Sequence, residues 1–277
     1  MIGTTVGHYR IIRRLEDRGG DTYLARDERL ERDVTLKFLP LDAATDEIQQ
    51  ARIRSEARAA TALDHPGVAA IYEVDEADGK TIVSMEHVEG TPLSEIMGEY
   101  GLPAVDVTRY GIQIADALAH AHEHGVAHRD LKSRNVMITP DSNAKILDFG
   151  LPPPISGPAL LELIKSKKPL EKGTVASTLP YLAPETLRGN PPDSRSDLWA
   201  LGVLLYEMIT GKLPFNGKTA YEMSSSILHE TAVPLPEQTP AGLRAVIERS
   251  LTKVPKRRYL WAIEVLAALR TPEARRN

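Results

Sequence analysis

The chain has no cysteine among its 277 residues. Disulfides and cysteine-ligated metal centres are therefore excluded, which fits a reducing compartment. No apolar, signal-like run opens the sequence, and no apolar stretch is long enough to span a bilayer. The most apolar segment, 198–209, is interrupted by Glu207 and reads as a buried helix. No internal repeat and no long low-complexity tract is present, which argues against solenoid or fibrous architectures. Neither sign of charge dominates: 34 Lys and Arg stand against 38 Asp and Glu, for a net charge of -4. Nucleic acid and anionic membrane surfaces are thus poor candidates as main partners. With 42% hydrophobic and 26% charged residues, the composition is that of a globular protein, long enough for one large domain or two lobes.

Periodicity gives the order of elements. Residues 8–39 read as strands, with Val34, Leu36 and Phe38 alternating with Thr35 and Lys37, so that Thr35 and Lys37 share one face. A helix is expected over 46–63, opening on Asp46 and Glu47 and carrying Glu56 at the edge of its apolar face. Strands are expected over 69–74 and 81–87 about a turn at Asp78-Gly79. After Glu89-Gly90 the chain becomes helical, with helices expected over 106–124, 197–210 and 262–269 and a Pro-rich irregular stretch at 152–180. The layout is a small strand-rich lobe, a linker and a larger helical lobe, with a cleft between them.

The chemistry-bearing segment is His128-Arg129-Asp130-Leu131-Lys132-Ser133-Arg134-Asn135, followed by Asp148-Phe149-Gly150. Four fixed identities in the first pattern arise by chance about once in 10⁵ positions at ordinary residue frequencies. The segment supplies, in order, a carboxylate to act as base, a lysine to neutralise phosphate charge, and two oxygen ligands suited to magnesium. Phosphoryl transfer needs that set.

These motifs resemble the catalytic and magnesium loops of eukaryotic-type protein kinases. The similarity covers roughly residues 8–270 and looks closest to bacterial eukaryotic-like Ser/Thr kinases. The resemblance implies an α+β, two-lobed protein kinase fold with an N-terminal antiparallel β-lobe (1–88) and a C-terminal, mainly α-helical lobe (89–277). It implies that Lys37 binds nucleotide phosphates with Glu56 as its helix-borne partner, and that Asp130 is the base. Lys132 would neutralise charge, and Asn135 and Asp148 would hold Mg²⁺, or Mn²⁺ in its place. Backbone groups of Glu86 and Val88 would receive the adenine of ATP, with Met85 as gatekeeper. Asp197 would brace the catalytic loop, Glu185 of Ala183-Pro184-Glu185 would pair with Arg258, and Thr178 would contact the catalytic aspartate. The implied partners are proteins presenting Ser or Thr and a second copy of the chain for trans-autophosphorylation, in a cytoplasmic setting.

Three departures temper the match. The glycine-rich loop is degraded, with Glu16 and Arg18 on its first two glycine positions and one residue missing before Tyr23. Thr35 replaces an alanine that lies against adenine, and Ser133 replaces a proline. The expected activity is therefore weak or conditional, and the alternative is a pseudokinase that binds nucleotide or acts as a scaffold. The long segment before Ala183 carries an insert-like run, 160–165, read either as a short packing helix or as a docking element. Within it, a phosphate on Thr174 would pair with Arg129. His120 and His124 share a helix face, where zinc would need a further ligand such as Glu123; a polar helix end is the plainer reading.

Overall fold

The computed structural model describes residues 1–15, 21–39, 47–77, 80–171 and 173–271, with the backbone alone for Glu47, Ile48, Gln49 and Thr174. The expectations for Glu16, Arg18, Asp46, the Asp78-Gly79 turn and the Thr174 side chain lie outside these residues.

Alternating burial builds the first layer. β1 (Thr5–Val6), β2 (Tyr9–Arg14), β3 (Asp21–Asp27), β4 (Arg32–Phe38), β5 (Ile71–Ala77) and β6 (Lys80–Glu86) form one antiparallel sheet in the order β1-β2-β3-β4-β6-β5. Val34, Leu36 and Phe38 turn into the sheet's own core with Tyr9, Ile11, Tyr23 and Ile82. Thr35 and Lys37 fall on the opposite face, as period-2 alternation requires. Crossing from β4 to β5 is α1 (Glu47–Ala60).

The strand expected from residue 69 begins at Ile71. The preceding residues are committed elsewhere: Ala69 donates to the Ile146 carbonyl at 2.8 Å and Ile146 donates to Gly67 at 2.8 Å. The start of the strand is thereby tied to the second lobe.

That lobe opens with β7 (Thr91–Pro92), α2 (Leu93–Ile96) and α3 (Ala104–Glu123). A three-stranded sheet, β7-β8-β9, follows from β8 (Val136–Ile138) and β9 (Ala144–Ile146). Next come α4 (Gly157–Leu163), α5 (Thr174–Thr178), α6 (Pro184–Leu187), α7 (Ser194–Thr210), α8 (Ala220–His229), α9 (Ala241–Ser250) and α10 (Ala262–Leu269). The segment read as irregular thus holds two short helices, and Leu160 of the insert is buried in the main core.

The central helix α7 has the clearest local signals. Asp193 caps its start, accepting from Arg195 and Ser196, and the Ser196 hydroxyl returns a bond to the cap. Gly211 ends it in the left-handed conformation, φ 67°. Most of its apolar residues, including Leu198, Trp199, Leu201 and Leu204, are buried, so burial rather than one-sided amphipathicity stabilises this helix. One core runs from Ala57, Ala60 and Leu63 through Phe149 to α3 and α7, and so joins the two lobes. No helix among the described residues is long and apolar enough to cross a membrane.

Candidate active site

The loop between α3 and β8 is built around a buried carboxylate. Asp197, in the first turn of α7, accepts from the backbone N–H of His128 and of Arg129, each at 2.8 Å, and lies 2.8 Å from Nε2 of His122. Burial alone would raise the pKa of Asp197. The bonds and charges of His122, His128 and the Arg129 backbone outweigh it and hold the group below its ordinary value. The loop backbone is pulled into shape here: Arg129 adopts φ 70°. His128 packs its ring 4.7 Å from that of Phe149 and places Nε2 2.7 Å from the Leu147 carbonyl.

On this frame the candidate catalytic groups converge. Lys132 donates to both oxygens of Asp130, at 2.9 and 2.7 Å, and to the Thr178 hydroxyl at 2.7 Å. Thr178 donates in turn to Asp130 at 2.9 Å. Asn135 spends its amide nitrogen on the Asp130 carbonyl at 2.8 Å, which turns its amide oxygen the other way. Lys132 is 5% and Asp130 16% exposed along their side chains, so their pairing is largely shielded from water and from salt.

Lys37, from β4, crosses the cleft and donates to Asp148 at 2.6 Å. This corrects the expected Lys37–Glu56 pair. Glu56 is held instead by Arg129 and, at 2.9 Å, by Arg52 one turn earlier on α1. The cause is electrostatic competition within a close-packed geometry. Gly150 sits so near α1 that a Cβ there would meet the Ala60 Cβ at 2.8 Å, and its φ is +68°. The helix is thus docked, while its carboxylate is bonded to the two guanidinium groups. The Arg52 partner was readable from its i,i+4 spacing; the Arg129 partner was not.

At the hinge, Met85 and Val88 are buried, and Glu86 uses its side chain structurally, bonding Lys145 at 2.5 Å and the Ala70 N–H at 3.2 Å. Thr35 is buried, with its hydroxyl 3.2 Å from Nδ1 of His87. Neither the Lys145 nor the His87 contact was anticipated.

Farther down, Glu185 and Arg258 form a two-pronged pair at 2.7 Å on each prong, with Arg258 wholly buried along its side chain. Ser133 finds a use: its hydroxyl lies 3.0 Å from that of Tyr181, which donates to Glu207. Burial pushes both Tyr181 and Glu207 above their ordinary pKa values. His65, His120 and His124 pack in a row with tilted rings, their centroids 5.2 and 4.4 Å apart. No cluster of three His, Cys, Asp or Glu able to hold a metal occurs among the described residues.

The oxygen donors of Asn135 and Asp148 suit a hard divalent cation of the magnesium type. Such a cation keeps several waters and takes its remaining ligands from substrate phosphates, so two protein ligands are enough.

Comparisons with known proteins bear on the family and the fold. The family model described as "Protein kinase domain" matches residues 18–267. Serine/threonine-protein kinase PrkC of Bacillus subtilis is 33% identical over 98% of this chain and 41% of its own length. Serine/threonine-protein kinase PknB of Mycobacterium leprae is 35% identical over 90% of this chain and 40% of its own. The chain therefore spans about two fifths of these relatives. The crystal structure of the Mycobacterium tuberculosis PknI kinase domain superposes with a TM-score of 0.72 at 25% identity, covering 97% of this chain and 98% of that one. By the extent of the family match and by relatives a third identical along nearly all of its length, the chain belongs to the protein kinase domain family.

Proposed function

We propose that this domain transfers the γ-phosphate of ATP to serine or threonine hydroxyls of proteins, with Mg²⁺ as the metal. The carrying observation is the Asp130–Lys132–Thr178 cluster, closed by bonds of 2.7–2.9 Å on a loop anchored to Asp197. Asp130 orients the incoming hydroxyl and accepts its proton, and Lys132 neutralises charge developing beside it. Asn135 and Asp148 would hold the cation, which supplies charge neutralisation on the phosphates. Lys37 stands at Asp148, where it would meet the same phosphates. The adenine would lie along the backbone of Glu86 and Val88, next to Met85 and Thr35. In this reading the N-terminal lobe is 1–88 and the C-terminal lobe 89–277.

Activity in this reading is conditional. Glu56 must leave Arg129 and Arg52 for Lys37 before Lys37 is braced for phosphate, and a negative group drawn to Arg129 would favour that exchange. The test is transfer of radiolabelled phosphate from Mg-ATP to the chain itself or to a Ser/Thr peptide library, comparing the natural sequence with Asp148→Asn. Loss of transfer in the variant supports the reading; nucleotide binding without transfer by the natural sequence overturns it.

A further inference from the structure

We infer that His87 is a positioning residue of the nucleotide slot: its imidazole takes up the Thr35 hydroxyl and keeps it off the face on which a base lies. The inference rests on the nucleotide reading above. Thr35 shares its β4 face with Lys37, and Lys37 reaches Asp148 across the cleft, so this is the cleft face. In the sheet Thr35 stands opposite Met85. His87, two residues farther on, is its diagonal cross-strand neighbour, within reach of a longer side chain.

The chemistry of a base slot makes this contact matter. A purine is apolar on its faces and polar at its edges. Val88 of the hinge and Met137 of β8 belong to a buried apolar cluster with Ala69 and Leu147, a surrounding that matches the apolar faces. Thr35 brings a hydroxyl into this setting and is only 2% exposed, so water does not satisfy it. A buried hydroxyl without a partner is costly, and a base stacked on it would offer none. Nδ1 of His87, 3.2 Å away, is the partner. The hydroxyl both donates and accepts, so the bond forms with either state of that nitrogen. With the hydroxyl turned to the imidazole, threonine presents its methyl group, the part that resembles the alanine it replaces. His87 acts through Thr35 and has no step in phosphoryl transfer.

The test is a titration of the full chain with a fluorescent ADP analogue and Mg²⁺, in a double-mutant cycle. His87→Ala is expected to weaken binding about tenfold, because the released Thr35 hydroxyl turns onto the base face and loses its water when the base stacks there. In a Thr35→Val background, which removes the hydroxyl and keeps the shape, the same His87→Ala change is expected to cost under twofold. If His87→Ala does not fold, His87→Leu replaces it with the same expectations. Equal binding by His87→Ala and the natural sequence overturns the inference, and so does a tenfold loss that persists with Val at 35. Absence of nucleotide binding by the natural sequence removes the nucleotide reading itself, a result distinguishable from either.

Discussion

The two walls of the cleft differ in how finished they are. On the helical side the loop from His128 to Asn135 is closed: Asp197 fixes two backbone N–H groups, and Asp130, Lys132, Thr178 and Asn135 satisfy one another. On the strand side the charged groups are paired with partners they would have to exchange, Lys37 with Asp148 and Glu56 with Arg129 and Arg52. The reason is where the anchors lie. Asp197 sits on a capped helix in the middle of the core, whereas Glu56 hangs from a helix whose only strongly buried described residues are Ala57 and Ala60. Under the proposed function, a preorganised base and a convertible nucleotide grip would together make a site regulated through its N-terminal lobe.

The sharpest way to break this contrast is to attack the closed side. Asp130→Asn should lower phosphate transfer about 10³-fold, within the range for loss of a general base, with unchanged far-UV circular dichroism. Arg258→Leu should cost about 3–5 kcal/mol, because it strands the Glu185 carboxylate inside the protein; urea denaturation reads this as a lower midpoint at constant slope. On the convertible side, Glu56→Gln should reduce kcat/KM about tenfold, since the exchanged pair with Lys37 can no longer form. Ser133→Ala should lose about 1 kcal/mol through its bond to Tyr181, and a fall of more than 3 kcal/mol in the melt-derived stability would show that this network matters more than its geometry indicates.

A smaller effect is a dependence on pH far from the cleft. Burial pushes the Lys253 pKa down to about 8, against the attraction of Glu230. Its ammonium lies 3.7 Å from the centre of the Phe215 ring and donates to the Ile227 carbonyl at 2.5 Å. A lysine whose folded pKa is depressed binds more protons unfolded than folded, so stability should rise as pH goes from about 8 towards 10.5. Lys253→Met should flatten that part of the curve, as read from melting temperatures across the range.

The closed side was legible in the sequence because its residues match motifs of the protein kinase family, although the partners stand 48 to 73 positions apart. Thr178 on Asp130, Asp197 under the loop and the Glu185–Arg258 pair were all implied by the resemblance to protein kinases. The helix over Ala262–Leu269 was fixed by its apolar period. What sequence did not reveal depends on tertiary competition. Glu56 has two arginines and a lysine within the same fold, and spacing alone cannot rank them. The first residues expected in the fifth strand are captured by Ile146, a partner nearly eighty positions away. His87, just past the end of β6, meets Thr35 of β4 diagonally, a contact that needs the register before it can be seen.

The most direct test of the central claim is transfer of radiolabelled phosphate from Mg-ATP by the natural sequence and by Asp130→Asn, with Mg-ATP binding followed in parallel by thermal shift. The account predicts measurable transfer that falls about 10³-fold in the variant, while both proteins are stabilised by Mg-ATP. Binding by both with no transfer by either would contradict it and leave a nucleotide-binding pseudokinase.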